Sequence, residues 1–124
     1  MASNREEQQS EIRFQVMRLI SETPERSTRQ IAKKVGISNG SAYYVITALI
    51  EKGLVKLENF KKNSKKRQYV YLLTPRGIKE KSLLTHRFIK RKRQEYWDLK
   101  TEIEILEKEA GLTDEMLEIV NREK

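Results

Sequence analysis

The 124-residue sequence predicts a mainly α-helical protein with one small β-hairpin, and three observations carry that prediction. Between Ser27 and Gly53, two helical segments are separated by a single glycine and opened by good capping residues. The run "QYVYLL", residues 68–73, has the β-branched and aromatic character of a strand. From Ile78 to Ala110 neither proline nor glycine interrupts the chain, so one long helix is expected there.

Ile12, Val16, Leu19 and Ile20 fall on one stripe and predict a first helix over Glu11–Ser21, which Pro24 closes. Met1–Ser10 reads as a polar segment. Ser27 and Gln30 have the spacing of a capping box, in which Ser27 caps a short second helix and Gln30 reaches back to it. Gly36 supplies a sharp turn, in the left-handed conformation that glycine adopts at little cost. Ser38 caps a third helix and Gly53 ends it. Leu54–Phe60 and Gln68–Leu73 form the hairpin, with the polar loop "KKNSKK" between them. Thr74 caps the long helix and Pro75 takes its first position. About 36 residues at 1.5 Å each would make that helix ~54 Å long.

Helix, helix, tight turn, helix, hairpin and long helix is the order of a winged helix-turn-helix followed by a coiled-coil-like dimerisation helix. The expected divisions are a polar segment at 1–10, the winged domain at 11–74, the dimerisation helix at 75–110 and a short acidic helix or tail at 111–124.

Charge is distributed unevenly along this order. The net charge of +8 is concentrated in the middle, at +5 over residues 56–67 and +6 over 68–100. Residues 101–124 carry net −5. A concentrated basic surface points to nucleic acid, with a merely solvated face as the alternative. There are no cysteines, so disulfides and thiolate metal sites are excluded, and a reducing, cytoplasmic home fits. No apolar run approaches bilayer-spanning length, and Met1–Ser10 lacks the apolar centre of a signal peptide.

The run "STRQIAKKVGISNGSAYYVITALIEKGLVKLENF", followed by "YLLTPRGIKEKSLLTHRFIKRK", resembles the MarR-type winged-helix transcriptional regulators. It is most similar to their short subgroup associated with exopolysaccharide gene clusters, over roughly residues 11–110. "ALIEKGLV" and "LTPRG" carry most of the likeness. The resemblance implies a dimeric regulator that represses exopolysaccharide or other surface-polysaccharide genes. Two departures stand out. MarR-type wings carry Asp-x-Arg seven residues before the Thr of the "LTxxG" motif, and this sequence keeps Arg67 but has Lys65 in place of the aspartate. The family also has an additional N-terminal helix in its dimer interface, which ten polar residues are too few to supply. Dimerisation then rests on the C-terminal helix, and the small-ligand pocket often formed between those elements loses one of its walls.

In the third helix, Ala42, Val45, Ile46 and Leu49 make the core stripe. The opposite face holds Gly40, Tyr44, Thr47 and Glu51, with Ser41 and Tyr43 on its flanks. A helix-turn-helix inserts such a face into the major groove, N-terminal residues foremost. Ser38, Asn39, Gly40, Ser41, Tyr43, Tyr44 and Thr47 are therefore the candidate DNA-reading residues. Asn39 can pair with adenine, Ser41 and Thr47 can bond bases or phosphates, and Gly40 permits close approach. Tyr44 is assigned outward, while Tyr43 either faces the groove or packs against a neighbouring helix. Lys61, Lys62, Lys65, Lys66 and Arg67 on the wing are candidate phosphate contacts, with Arg67 placed for a minor groove.

On the long helix Ile89, Lys92, Tyr96, Leu99, Ile103, Leu106 and Ala110 alternate by three and four, the spacing of a coiled-coil seam. Lys92 interrupts it, so the dry part begins at Tyr96, and the candidate dimer interface is Ile89, Tyr96, Leu99, Ile103, Leu106 and Ala110. Packing on the chain's own domain is the alternative. Leu112, Met116, Leu117 and Val120 suggest a short helix closing over the seam, with Trp97 packed beneath it. The cations from Arg87 to Arg93 either touch phosphates or pair with a partner chain's acidic tail.

Catalysis is not expected. The sequence has one histidine, no cysteine and no glycine-rich phosphate loop, and neither a cofactor nor a metal is implied. The expected partners are double-stranded DNA and a second copy of the chain, with no membrane and no assigned small-molecule effector. Two other classes compete: a winged-helix adaptor binding an acidic protein through its basic face, and peripheral membrane attachment through "HRFIKRKRQEYW". The cations of that segment surround the helix instead of forming one polar face, which disfavours a membrane. The polar tip at residues 38–44 favours DNA over an adaptor.

Overall fold

The computed structural model describes residues 2–63, 66–111 and 113–122, with the backbone alone described for 2–4, 60–63 and 66–68. The described residues form α1 (Ala2–Glu22), α2 (Thr28–Val35), α3 (Asn39–Glu51), β1 (Val55–Asn63), β2 (Lys66–Leu73), α4 (Pro75–Glu109) and α5 (Asp114–Arg122). This is the mostly helical winged arrangement expected, with one two-stranded antiparallel sheet. The chain divides into two compact units, Met1–Arg87 and Phe88–Lys124.

In the first unit, the core is built from one face of each helix. Val16, Met17 and Ile20 of α1 are buried with Ile31 and Ala32 of α2, and with Ala42, Ile46 and Leu49 of α3. Phe14, Leu54, Val55, Val70 and Leu84 complete it. Of the expected stripes, Ile12, Leu19 and Val45 are only half-buried, whereas Phe14 and Met17, which lie off those stripes, are buried. The first helix also begins earlier than its apolar pattern indicates, at Ala2 instead of Glu11. Residues 2–10 are rich in Glu, Gln and Arg, good helix formers without apolar periodicity, so they extend the helix at low cost, with residues 5–9 exposed.

Local chemistry sets the element ends. Ser27 Oγ accepts the Gln30 amide at 3.2 Å, and the Gln30 side chain accepts the Ser27 amide at 2.8 Å, completing the capping box. Gly36 follows α2 at φ 85°. Gly53, at φ 75°, closes α3 in a Schellman arrangement, with Leu54 N donating to Leu49 O and Gly53 N to Ile50 O.

The start of α4 is welded to that same corner. Thr74 Oγ1 donates to Gly53 O at 2.6 Å and accepts the Gly77 amide at 3.0 Å, while Thr74 N donates to Leu54 O at 3.0 Å. The end of α3, the base of β1 and the first turn of α4 therefore share one hydrogen-bonded junction. Pro75 opens α4, as its fixed φ and missing N–H suit the first turn.

In the second unit, the expected seam residues Ile89, Tyr96, Leu99, Ile103 and Leu106 are each 43–60% exposed. Ala110 lies one residue past the end of α4 and is exposed. Two expectations are corrected here. Trp97 is not packed beneath a C-terminal segment: it is 56% exposed, in edge contact with Tyr96 at 5.4 Å and with Lys100 over its ring at 5.2 Å. Residues 114–122 do form a helix, but Met116 and Val120 are about half exposed and the seam is not closed over. Nine residues with three apolar positions on one stripe bury too little to hold such a helix down within one chain. Leu112 lies outside the described residues.

Candidate nucleic-acid interface

The turn from Gly36 to Ser38 sets how α3 is presented. Ser38 takes an extended backbone at φ −70° and ψ 158°, and its Oγ accepts the Ser41 amide at 3.0 Å. The same hydroxyl donates to Ser41 Oγ at 2.9 Å, so the two serines orient one another at the helix tip. Asn39, Gly40, Ser41, Tyr43 and Tyr44 are all exposed. Tyr43 is 65% and Tyr44 75% exposed, so neither ring packs against a neighbouring helix. Thr47, one turn further along, is half-buried. A Cβ added at Gly40 would meet nothing within 4 Å, so no packing inside the chain requires glycine there. The core face of the same helix is fully buried at Ala42, Ile46 and Leu49. Polar and aromatic groups thus occupy one face and core groups the other, with little overlap.

The wing stands beside this helix through its base. Val55 pairs with Leu73, Leu57 with Tyr71 and Asn59 with Tyr69 in the antiparallel register. Tyr71 N donates to Pro24 O at 3.3 Å, and the Tyr71 and Thr28 hydroxyls bond at 2.9 Å, which ties β2 to the start of α2. Lys56 and Glu58 form an ion pair at 2.9 Å near the base of β1.

Of the five wing cations, Lys65 lies outside the described residues, and for Lys61, Lys62, Lys66 and Arg67 the backbone alone is described. That backbone pairs residue 61 with residue 67, bringing two cationic residues to one rung, and has an irregularity between residues 61 and 63.

A feature missed in the sequence lies between α1 and α3. An open groove of about 580 Å³ is lined by Gln9, Ile12 and Arg13 on one side and by Gly40, Ser41, Tyr44, Val45, Ala48 and Lys52 on the other. Arg13 Nε is buried and has no hydrogen-bond partner among the described residues. The only sequence signal for this groove was the polar tip of α3, because the α1 residues join it through tertiary packing alone.

Comparison with known proteins fits this geometry. Residues 9–56 match the winged helix-turn-helix DNA-binding family. The first unit accordingly has the fold of a winged helix-turn-helix. No curated protein sequence matches the chain.

The solved structures similar to this chain include a MarR-family regulator. A MarR/EmrR family transcriptional regulator from Acinetobacter sp. ADP1 aligns at a TM-score of 0.61 with 20% identity, over 79% of this chain and 70% of that one. Lactococcus lactis ZitR in complex with DNA aligns at 0.56 with 18% identity, over 90% and 67%. A variant of ZitR in apo form aligns at 0.56 with 19% identity, over 98% and 82%. At these identities the likeness establishes the fold. The chain spans 65% of the length of a Staphylococcus aureus MarR, aligned at 18% identity and a TM-score of 0.48. Among the described residues, no helix is long and apolar enough to cross a membrane.

Proposed function

We propose that this chain is a MarR-type transcription regulator that binds double-stranded DNA sequence-specifically as a homodimer in the cytoplasm. The observation that carries the reading is the division of α3 into a buried stripe, Ala42–Ile46–Leu49, and an exposed polar tip from Asn39 to Tyr44. The tip enters the major groove, where Asn39, Ser41 and Tyr44 meet base edges and thymine methyl groups. The wing cations hold the flanking phosphates and supply affinity with little sequence information.

Dimerisation runs through Ile89, Tyr96, Leu99, Ile103, Leu106 and Ala110, which supplies the two-fold symmetry that paired half-sites require. Its support is the row of half-exposed apolar residues at seam spacing along α4. ZitR, a structural relative in complex with DNA, supports the same mode of use. The sequence resemblance extends the reading to repression of exopolysaccharide genes. The domain divisions follow the same functions: reading head at 11–74, dimerisation helix at 75–110, acidic helix at 111–124.

Selection of bound duplexes from random DNA tests this. An inverted repeat with half-sites about 10 base pairs apart, or a multiple of that, is the expected outcome. Recovery of unrelated sequences at equal affinity would overturn it. A gel shift with the upstream region of the chain's own gene cluster then tests the assignment to exopolysaccharide genes.

A further inference from the structure

The groove between α1 and α3 is chemically mixed. Ile12, Val45 and Ala48 give it an apolar lining, Arg13 and Lys52 bring cations, and Gln9, Ser41 and Tyr44 contribute polar atoms. Arg13 Nε lacks an acceptor, and a buried donor without one costs free energy that an arriving anionic group recovers. Such a groove suits a short helix with an apolar stripe and acidic flanks.

The chain itself carries a helix of that chemistry. In α5, Met116, Ile119 and Val120 fall at i, i+3 and i+4 and are each about half exposed. Asp114, Glu115 and Glu118 outnumber Arg122, which pairs with Glu118 at 3.8 Å, so the rest of the helix is net acidic, and Glu115 lies one turn before Ile119, at the border of the stripe. Nine residues of helix are ~14 Å long, and the groove follows α3 from Gly40 to Lys52, ~18 Å. Length, apolar stripe and charge all match.

We propose that α5 of a second copy docks in the α1–α3 groove, with its apolar stripe against Ile12, Val45 and Ala48 and its carboxylates facing Arg13 and Lys52. Gly40, Ser41 and Tyr44 line the same groove and belong to the DNA-reading tip, so the docked helix and DNA compete for them. The groove is then a self-inhibitory surface through which copies of the regulator occlude one another's reading face. Docking stands on the groove and helix alone; the competition rests on the DNA-binding reading above.

The absence of cysteine makes a direct test available. One copy carries Ala48→Cys, a differently tagged copy carries Ile119→Cys, and the two are mixed under mild oxidation without DNA. A disulfide-linked mixed pair should form at least several-fold faster than with Glu25→Cys, an exposed position away from the groove. Lys52→Cys provides a second groove position should Ala48→Cys lower the melting temperature. No excess over the control at either position overturns the proposal. A chain bearing both cysteines that forms its disulfide within a single chain, with no covalently linked pair on a non-reducing gel, also overturns it, because the occupant is then its own α5.

Adding a duplex that the protein binds should suppress the mixed disulfide several-fold. Unchanged cross-linking in the presence of bound duplex overturns the competition. A protein that binds no duplex refutes the DNA-binding reading, while the cross-linking without DNA still decides the docking.

Discussion

Gly77 lies directly beneath the carbonyl group of Leu54: a Cβ at Gly77 would come within 2.9 Å of the Leu54 carbonyl carbon and collide with its oxygen. That oxygen is the one that accepts the Thr74 amide, so moving it away would break the bond that starts α4. The glycine of "LTPRG" is there for closeness of approach, since its backbone has no positive φ. Gly77→Ala should therefore destabilise the first unit by about 1–3 kcal/mol, the usual cost of forcing an extra carbon into packed structure. Gly40→Ala should do the opposite, gaining up to about 1 kcal/mol, because it meets open space within a helix. Urea denaturation of both variants without DNA checks the pair of signs.

The seam on α4 predicts the outcome of adding a charge. Leu99→Glu or Ile103→Glu would bury a carboxylate between two copies, at several kcal/mol unless it is paired. Monomers in sedimentation are expected, with the thermal melt of the first unit unchanged. A mutant dimer of undiminished stability would refute the seam.

Wing substitutions should act on all sequences alike. Arg67→Ala, or Lys65→Ala together with Lys66→Ala, should weaken binding to specific and random duplexes by similar factors. Every phosphate that is no longer neutralised should also take about 0.9 off the slope of log affinity against log salt. Unchanged affinity at low salt would place the wing away from DNA.

The tip of α3 should behave in the contrary way. Asn39→Ala and Tyr44→Ala should narrow the gap between specific and random DNA, since each base contact contributes about 1–3 kcal/mol of discrimination and both half-sites are weakened together. Binding to random duplex should change little, and the fold should survive because both residues are exposed. Ser38→Ala belongs to a different class, as it removes the cap of α3 and should cost about 0.5–2 kcal/mol of stability. Affinities for both duplexes at one salt concentration, beside a thermal melt, separate the three variants.

What was legible in the sequence was local. The capping box at Ser27 and Gln30, the cap at Ser38, the left-handed Gly36 and Gly53 and the Thr74–Pro75 start of α4 each depend on a few consecutive residues. Alternation of apolar residues likewise located most of the core. The extension of α1 to Ala2 was hidden because a helix that is polar all round has propensity but no periodicity. Trp97 was misplaced for another reason: a heptad shows which residues leave the seam, not whether anything covers them. Gln9, Arg13 and Lys52 could not have been grouped from the sequence, because Arg13 and Lys52 are 39 positions apart, with α2 between them, and only packing of α1 beside α3 joins them.

The two faces of α3 leave separate mutational routes open. Asn39, Gly40, Ser41, Tyr43 and Tyr44 are exposed, while Ala42, Ile46 and Leu49 hold the core. Exchanges at exposed positions that are not caps commonly change stability by less than about 0.5 kcal/mol. On the proposed reading, a gene duplicate could thus drift toward a new operator through its tip while inheriting an intact scaffold. Lineages descended from this chain should diverge fastest at positions 39–44, sparing Ala42, and remain nearly fixed at the Leu54–Thr74–Gly77 corner.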